Sequence, residues 1–230
     1  MDSKSFYPLL DEVWGANIRL SKSGLVTGTQ GNVSGIDREK GYVAIKPSGI
    51  PYQKLKVEDI VVVNLKGEVI WGKWKPSVDT PHHLYLYQNL EEIGGVVHTH
   101  SSYATVFSIM GLSIPVFSTA HADVFGEEIP VAPYADNIGN HIGESILRYR
   151  GKKSPVVLLE KHGVFSFAET PEKAVFYAEM AEYVAKTSYF ALLLGNAFPG
   201  IKLSPLPAEE IKKWHERYHS SRYGQKDRNC

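Results

Sequence analysis

Residues 94–100 read GGVVHTH, an apolar run followed directly by two histidines. A short run of β-branched residues predicts a buried strand over 94–98. Side chains alternate between the faces of a strand, so His98 and His100 point the same way. Two imidazoles at this spacing suit chelation of one transition-metal ion, although two polar side chains at a strand end would give the same pattern. The stretch therefore predicts a strand and a candidate metal site.

The segments around this strand alternate between helical and extended patterns. Periodicity and capping residues predict helices at 5–22, 80–90, 101–110, 138–150, 170–194 and 207–219. β-Branched runs predict further strands at 43–46, 60–63, 129–133 and 155–160. Thr80 is the predicted N-cap of the second helix, with Pro81 at its first position. The irregular alternation argues against a repeated βαβ unit and predicts one α/β domain over 1–230, with a mixed sheet flanked by helices.

Composition excludes several classes of protein. The chain has 230 residues, with 25 Lys plus Arg against 25 Asp plus Glu. General nucleic-acid and membrane-surface binders carry an excess of positive charge, so neither partner is expected. The N-terminus lacks the pattern of a signal peptide, and the uncharged stretch 93–122 contains three histidines and Pro115, unlike a membrane span. A single cysteine, Cys230, fits a reducing setting, so we expect a cytoplasmic protein.

A metal site needs ligands beyond one His-x-His pair. His162 follows a second apolar run and precedes Gly163, which is again a strand end, and Asp79 in KPSVDTPHH could add a carboxylate. The remaining histidines in predicted helices are interpreted as surface residues: His82, His83 and His141. His121 stays open. A cupin would need a glutamate soon after HTH, and an amidohydrolase a longer barrel-forming chain, so both readings are disfavoured.

Two short segments could hold an anion. GNVS at 31–34 and KPSG at 46–49 combine small residues, hydroxyls, an amide and a lysine. Backbone N–H groups and hydroxyls at such turns bind phosphate oxygens well, but two ordinary turns would have the same composition. The chain has no GxxxxGK[ST], GxGxxG or GxSxG motif, so neither nucleotide binding nor a serine nucleophile is predicted.

Seven motifs occur in an order that resembles the class II aldolase/epimerase family. They are GNVS, KPSG, KPSVDTPH, GGVVHTHS, AHAD, a strand followed by HG, and a C-terminal RYGQ, and they cover nearly the whole chain. The resemblance implies a single domain with a mixed, largely antiparallel sheet. It implies a metal-dependent epimerase that interconverts L-ribulose 5-phosphate and D-xylulose 5-phosphate by retro-aldol and aldol steps at C4. The alternatives are a metal-dependent sugar-phosphate aldolase and, from another class, a non-catalytic interaction module.

The resemblance also implies roles for individual residues. His98, His100 and His162 would hold the metal with Asp79 beside them; the metal is usually zinc, with Mn²⁺ or Co²⁺ as other possibilities. Residues that would bind the substrate and its phosphate are Gly31, Asn32, Lys46, Ser48, Gly49, Ser77 and Val78. The family's epimerases usually carry a second serine where Val78 stands. This departure leaves the exact sugar phosphate open.

The implied acid/base pair is Asp123 and Tyr223. From the residues alone, Tyr223 reads as part of a frayed terminus. In the family, this pair reaches the metal site of a neighbouring subunit in a homotetramer, so the tail over about 218–230 would complete an active site. The expected substrate is a phosphorylated ketopentose, and the expected pathway is L-arabinose catabolism.

Overall fold

The computed structural model describes residues 5–198, 200–221 and 223 of the chain. Its helices are α1 (Tyr7–Lys22), α2 (Thr80–Asn89), α3 (Ser102–Met110), α4 (Thr119–Phe125), α5 (His141–Tyr149), α6 (Pro171–Ala197) and α7 (Ala208–His219). Its strands are β1 (Asn32–Asp37), β2 (Tyr42–Ile45), β3 (Val61–Asn64), β4 (Val69–Trp71), β5 (Gly95–Thr99), β6 (Val131–Ala132), β7 (Val156–Leu159) and β8 (Gly163–Ala168). Within these ranges, no helix is both long and apolar enough to cross a bilayer.

The strands form one sheet in the order β4-β3-β2-β1-β5-β8-β7-β6. Neighbouring strands run antiparallel, except for the parallel pair β6 and β7. His98 lies in the middle of this order, opposite Asn32 on β1 and opposite Phe165 on β8. The sequence-based prediction of a mixed, largely antiparallel sheet in one α/β domain is therefore confirmed.

Helices cover both faces of the sheet because its strands alternate two sets of apolar side chains. Val97 packs with residues of α1, α3, α4 and α6, whereas Val96 packs with residues of α2 and α5. The same division separates Val156 from Val157 on β7. Burying each such side chain contributes about 1.5–3 kcal/mol. A shift of one residue in strand register would turn every side chain to the opposite face, so the packing on both faces of the sheet would be lost together.

Strand β8 and helix α4 are among the elements that the sequence-based prediction missed. Strand β8 follows β7 after only three residues, and helix α4 has seven residues, too few to show a helical period. Ser118 begins α4 by accepting a hydrogen bond from the His121 N–H, and Gly126 ends it with a left-handed backbone. Asp79, not Thr80, is the N-cap residue of α2; the Thr80 hydroxyl instead donates to the Ser77 carbonyl at 2.6 Å.

One edge of the sheet collects the predicted site residues. Strands β1 and β8 begin at this edge, while β2, β5, β6 and β7 end there, as their pairing directions require. We call it the site edge. Residues distant in sequence meet there because many of them lie at or next to the ends of strands of the same sheet.

Candidate active site

A cavity of about 300 Å³ opens at the site edge. Every residue predicted to bind phosphate or metal lines it: Gly31, Asn32, Lys46, Ser48, Gly49, Ser77, Val78, Asp79, His98, His100 and His162. Thr29, Gln30, Pro47 and Asn137 complete the lining. We call this cavity the site pocket. The two halves of the predicted chemistry, metal and phosphate, thus share one enclosure.

Three imidazoles converge in the site pocket. One ring nitrogen from each of His98, His100 and His162 lies within 4.8 Å of the others. The Nε2 atoms of His98 and His100 are 3.0 Å apart, and the rings of His98 and His162 have centroids 4.9 Å apart. His98 is buried, whereas the other two are half-buried and border the opening. This is the convergence that the His-x-His spacing and the later HG motif predicted.

A tight turn between β7 and β8 delivers the third imidazole. Lys161 adopts a left-handed backbone, with φ of 58°, and its N–H donates to the Ser108 carbonyl at 3.1 Å. The His162 N–H donates to the Leu159 carbonyl at 3.0 Å. Gly163 must lack a side chain, because a Cβ there would lie 2.5 Å from the Thr99 carbonyl oxygen. The turn therefore brings His162 against the end of β5.

The donor set fits a divalent transition metal. The His98 Nδ1 atom lies 3.0 Å from the Val164 carbonyl oxygen, which can only accept a hydrogen bond. Nδ1 therefore carries the hydrogen, and the lone pair of Nε2 is left to face the other imidazoles, as in metal-bound histidines. Burial lowers the pKa of His98 to about 4 and lowers the pKa values of His100 and His162. Neutral imidazoles are the form that binds metal.

Asp79 stands beside this cluster but is held by its own partners. Its Oδ2 accepts from the Asn32 amide at 2.7 Å and from the Ser77 hydroxyl at 3.4 Å. Burial would raise the pKa of Asp79, but nearby His98 and His83 and the Asn32 hydrogen bond outweigh it, so the pKa is lowered. Among the described residues, the cluster of candidate ligand atoms consists of the three histidines. A direct role for Asp79 at the metal stays a prediction.

The part of the site pocket that is predicted to bind phosphate contains a buried lysine. Lys46 is 1 % exposed, and its Nζ donates to the Thr29 carbonyl at 3.2 Å. Burial lowers the pKa of Lys46 to about 8, an effect that the carboxylate of Asp79 partly opposes. A partly desolvated ammonium is well placed to attract a phosphate dianion.

The remaining phosphate residues border the opening of the site pocket. Ser48 and Gly49 follow Lys46 on an exposed turn, and the Ser48 N–H donates to the Lys75 carbonyl at 3.0 Å. Gly31 has φ of 73°, and a Cβ there would lie 2.9 Å from the His98 carbonyl oxygen. Val78 is 66 % exposed at the rim, where it presents methyl groups in place of the family's usual hydroxyl.

Asp123 and Tyr223 lie in a different place. Asp123 is on α4, Tyr223 follows α7, and within the described part of the chain neither side chain lines the site pocket. We assign the two to one patch because both influence Tyr218. Partial burial, Tyr223 and Asp123 all raise the pKa of Tyr218. The rings of Tyr218 and Tyr223 have centroids 4.8 Å apart. We call this group the α4–α7 patch; Arg222 and 224–230 of the predicted tail lie outside the described residues.

Partial burial raises the pKa of Asp123, while the positive charge of Arg217 and two neighbouring histidines opposes the shift. The His215 Nδ1–H donates to the Asp123 carbonyl at 3.2 Å, which fixes α7 against α4. A carboxyl group with a raised pKa is suited to proton transfer, provided that a substrate reaches it.

Two of the histidine interpretations were wrong. His82 and His83 are fully buried rather than on the surface, because α2 packs against both the sheet and α5. His83 contacts the Ser34 hydroxyl at 2.7 Å, and Ser34 in turn contacts Tyr87. His141 is exposed, as predicted. His121 is buried, with Nε2 3.1 Å from the Glu127 carbonyl oxygen, and does not line the site pocket.

Asn137 is a site residue that sequence reasoning missed. It lies in the loop between β6 and α5, and no motif precedes it in sequence. Its hydrogen bond to His82 spans 55 positions of the chain. Such a contact leaves no local pattern that sequence reading can find.

A comparison with protein families agrees with the motif order and the fold. The family model of the class II aldolase and adducin N-terminal domain matches residues 11–189. The chain belongs to this family. The family resemblance that the seven sequence motifs indicated is thereby confirmed.

Curated relatives match over nearly their full length. The L-ribulose-5-phosphate 4-epimerases UlaF of Salmonella paratyphi B and Salmonella paratyphi C are 39% and 40% identical to this chain, over 95% of it and 99% of each relative. Among solved structures, an L-fuculose 1-phosphate aldolase is 31% identical and superposes with a TM-score of 0.80, over 92% of this chain and 96% of that one. Epimerase and aldolase relatives thus share this architecture.

Proposed function

We propose that this class II aldolase family member is an L-ribulose-5-phosphate 4-epimerase that produces D-xylulose 5-phosphate. The observation that carries the proposal is full-length identity of 39–40% to two epimerases, against 31% to the solved aldolase. The site pocket supports it, because three imidazoles and a buried lysine suit a metal-dependent reaction on a phosphorylated sugar.

The chemistry explains why a metal and a phosphate site are needed together. C4 of a 2-ketopentose 5-phosphate bears no acidic hydrogen, so simple deprotonation cannot invert it. Cleavage of the C3–C4 bond, rotation of the aldehyde fragment and re-formation of the bond would achieve inversion. A divalent ion on His98, His100 and His162 would supply a Lewis acid for the C2 carbonyl and C3 hydroxyl oxygens.

The chain's own residues would do the remaining work. Lys46, Ser48 and Gly49 would retain the phosphate of the glycolaldehyde phosphate fragment while its aldehyde group turns over. Asn32 would hold Asp79 in place through its 2.7 Å hydrogen bond. Asp123 and Tyr223 would transfer protons on opposite faces of C4.

Asp123 and Tyr223 would act at the site pocket of a second subunit. Their position in the α4–α7 patch supports this, as does the exposed apolar end of α6, where Phe190, Leu193 and Leu194 are 50%, 49% and 62% exposed. Within the single chain, these three apolar side chains are not buried. We propose a homotetramer with zinc as the native metal; the cytoplasmic location and L-arabinose catabolism remain predictions.

An aldolase is the second candidate. The solved aldolase shares the fold, and Val78 lacks the second hydroxyl expected of an epimerase. Incubation of the purified protein with L-ribulose 5-phosphate decides between the two. D-xylulose 5-phosphate as the product would support the epimerase, whereas accumulation of dihydroxyacetone and glycolaldehyde phosphate would contradict it. A metal analysis of the same preparation tests for zinc, and retained activity without a divalent metal would contradict metal dependence.

A further inference from the structure

Asn137 is an exposed amide that lines the site pocket. Its loop is ordered by the neighbouring Asp136, whose Oδ1 accepts from the Ile138 N–H at 3.1 Å. The loop therefore holds the backbone of Asn137 at the wall of the cavity, beside the imidazole cluster. Neither the metal site nor the phosphate site described above uses this side chain.

A buried imidazole determines which way the Asn137 amide faces. His82 is fully buried in the first turn of α2, and its Nε2 lies 2.5 Å from the Asn137 Oδ1. An amide oxygen only accepts hydrogen bonds, so the His82 Nε2–H is the donor. With Oδ1 engaged in this way, the NH₂ group of Asn137 is the part of the amide available to a molecule in the site pocket. His82 thus makes Asn137 a directed donor.

The order of strands along the site edge gives this donor a position on the substrate. Lys46 and Ser48 follow β2, His98 and His100 lie at the end of β5, and Asn137 follows β6 at the far end of the sheet order. The imidazole cluster thus lies between the phosphate residues and Asn137 in the strand order. The loop that carries Asn137 turns back to the site pocket, where Asn137 contacts His82 on α2. A sugar phosphate with its phosphate at Lys46 would therefore reach Asn137 with the part of the sugar beyond the imidazole cluster.

We propose that Asn137 is a specificity-determining residue that donates a hydrogen bond to the sugar hydroxyl farthest from the phosphate, with His82 as its positioning residue. The proposal rests on the proposed function, which supplies a ketopentose 5-phosphate as the ligand. In that ligand the hydroxyl concerned is the one on C1. Neither residue transfers a proton in this proposal, so both would contribute to the binding and orientation of the sugar.

Two ligands that differ only at C1 provide the test. D-xylulose 5-phosphate has the hydroxyl there, and 1-deoxy-D-xylulose 5-phosphate does not. Calorimetry on the metal-loaded protein gives the dissociation constant of each. Wild-type protein should bind the hydroxylated sugar about 2- to 10-fold more tightly, the range of one neutral hydrogen bond. Asn137→Ala should bind both equally, because the partner of the hydroxyl is gone.

Variants of His82 separate positioning from a merely structural role. His82→Leu should also lose the discrimination, whereas His82→Gln keeps a side-chain N–H and should retain part of it. The double variant His82→Leu with Asn137→Ala should show the same ratio of the two dissociation constants as Asn137→Ala alone. If His82→Leu fails to fold, as circular dichroism would show, His82→Gln and Asn137→Ala still decide the matter. Asn140→Ala is the matched control, an exposed asparagine of the same loop that does not line the site pocket.

The outcomes distinguish this proposal from the proposed function. Wild-type protein that binds both ligands but does not epimerise them would contradict the proposed epimerase function. The ratio of the two dissociation constants would still test the role of Asn137. An unchanged ratio in Asn137→Ala overturns the role of Asn137, even if epimerase activity is present. Wild-type protein that binds neither ligand overturns both proposals.

Discussion

The site pocket and the α4–α7 patch contain the two halves of one predicted site, but the chain builds them differently. The site pocket is a cleft, and its residues come from strand ends and loops that meet at one edge of the sheet. The α4–α7 patch is a partly exposed surface where Asp123 and Tyr223 both influence Tyr218 and neither lines the site pocket. A single chain therefore brings together the residues proposed to bind metal and phosphate, and leaves the residues proposed to transfer protons outside that pocket.

This contrast predicts two kinds of variant. Changes in the site pocket should alter metal or phosphate binding in any assembly state of the protein. Changes in the α4–α7 patch should leave binding intact and remove turnover, in a way that depends on contact between subunits. The following predictions test this division, beginning with the largest expected effect.

Replacing His98, His100 or His162 with Ala should each remove the bound metal and nearly all activity, because each supplies one of three converging ring nitrogens. The fold should persist, since the pairing of β5 with β1 and β8 depends on backbone hydrogen bonds that these substitutions leave in place. Metal analysis and circular dichroism check both parts. His141→Ala is the control, an exposed histidine that should keep full metal content. Stoichiometric metal in all three variants would show that the assignment is wrong.

Asp123→Asn and Tyr223→Phe should each lower epimerisation by about 10²–10⁴-fold, the usual contribution of positioned proton transfer. Metal content should not change, because neither residue lies in the imidazole cluster. Steady-state kinetics with metal analysis measures both. Lost metal in either variant would contradict the division between the two regions.

Subunit exchange sharpens the same prediction. Chains carrying His98→Ala lack the metal, and chains carrying Tyr223→Phe lack the tyrosine, so mixing them should restore part of the activity if the pair acts across subunits. Each variant mixed with itself is the control. Full activity in a chain truncated before Tyr223 would show that the tail plays no part.

Ser48→Ala should raise KM about 10- to 100-fold, with a smaller change in kcat, because a hydrogen bond to a charged group contributes about 1.5–3 kcal/mol. Ser23→Ala, an exposed serine at the end of α1, is the control. Initial rates over a range of substrate concentrations give both constants. Equal turnover of L-ribulose and its 5-phosphate by wild-type protein would contradict the phosphate site.

Lys46 should impose an alkaline limit on kcat/KM. Its pKa is lowered to about 8 by burial, so the ammonium is charged below that pH and increasingly neutral above it. The loss of kcat/KM should approach about tenfold per pH unit above pH 8, since this constant reports the free enzyme. Lys46→Arg stays charged and should move the limit to higher pH. The same alkaline limit in both proteins would assign it to another group.

Val78→Ser should have the smallest effect, a KM lower by about 2- to 10-fold, because the new hydroxyl at the largely exposed rim would only add to contacts that Lys46 and Ser48 already make with the phosphate. Val78→Thr, with a hydroxyl and a shape close to valine, separates the hydrogen bond from the change in size. An unchanged KM in both variants would mean that the phosphate does not reach this position.

Local patterns in the sequence predicted most of the enclosed region. The alternation of side chains along β5 was sufficient to place His98 and His100 on one face, and glycine-rich turns marked the phosphate residues. Strand β8 was missed because it follows β7 so closely, and α4 because it is too short to show a period. His82 and His83 were misplaced because a helix packed on two sides has no polar face by which to recognise exposed residues.

The sequence by itself determined the family and the fold class, because its seven motifs and its short strand patterns can each be recognised locally, and it supplied the candidates for metal and phosphate binding. Only the tertiary structure decided which of these residues share an enclosure. It placed Asp123 and Tyr223 outside the site pocket and joined Asn137 to His82 across 55 positions. The physical reason is that strand pairing and helix packing bring together positions whose separation along the chain carries no periodic signal.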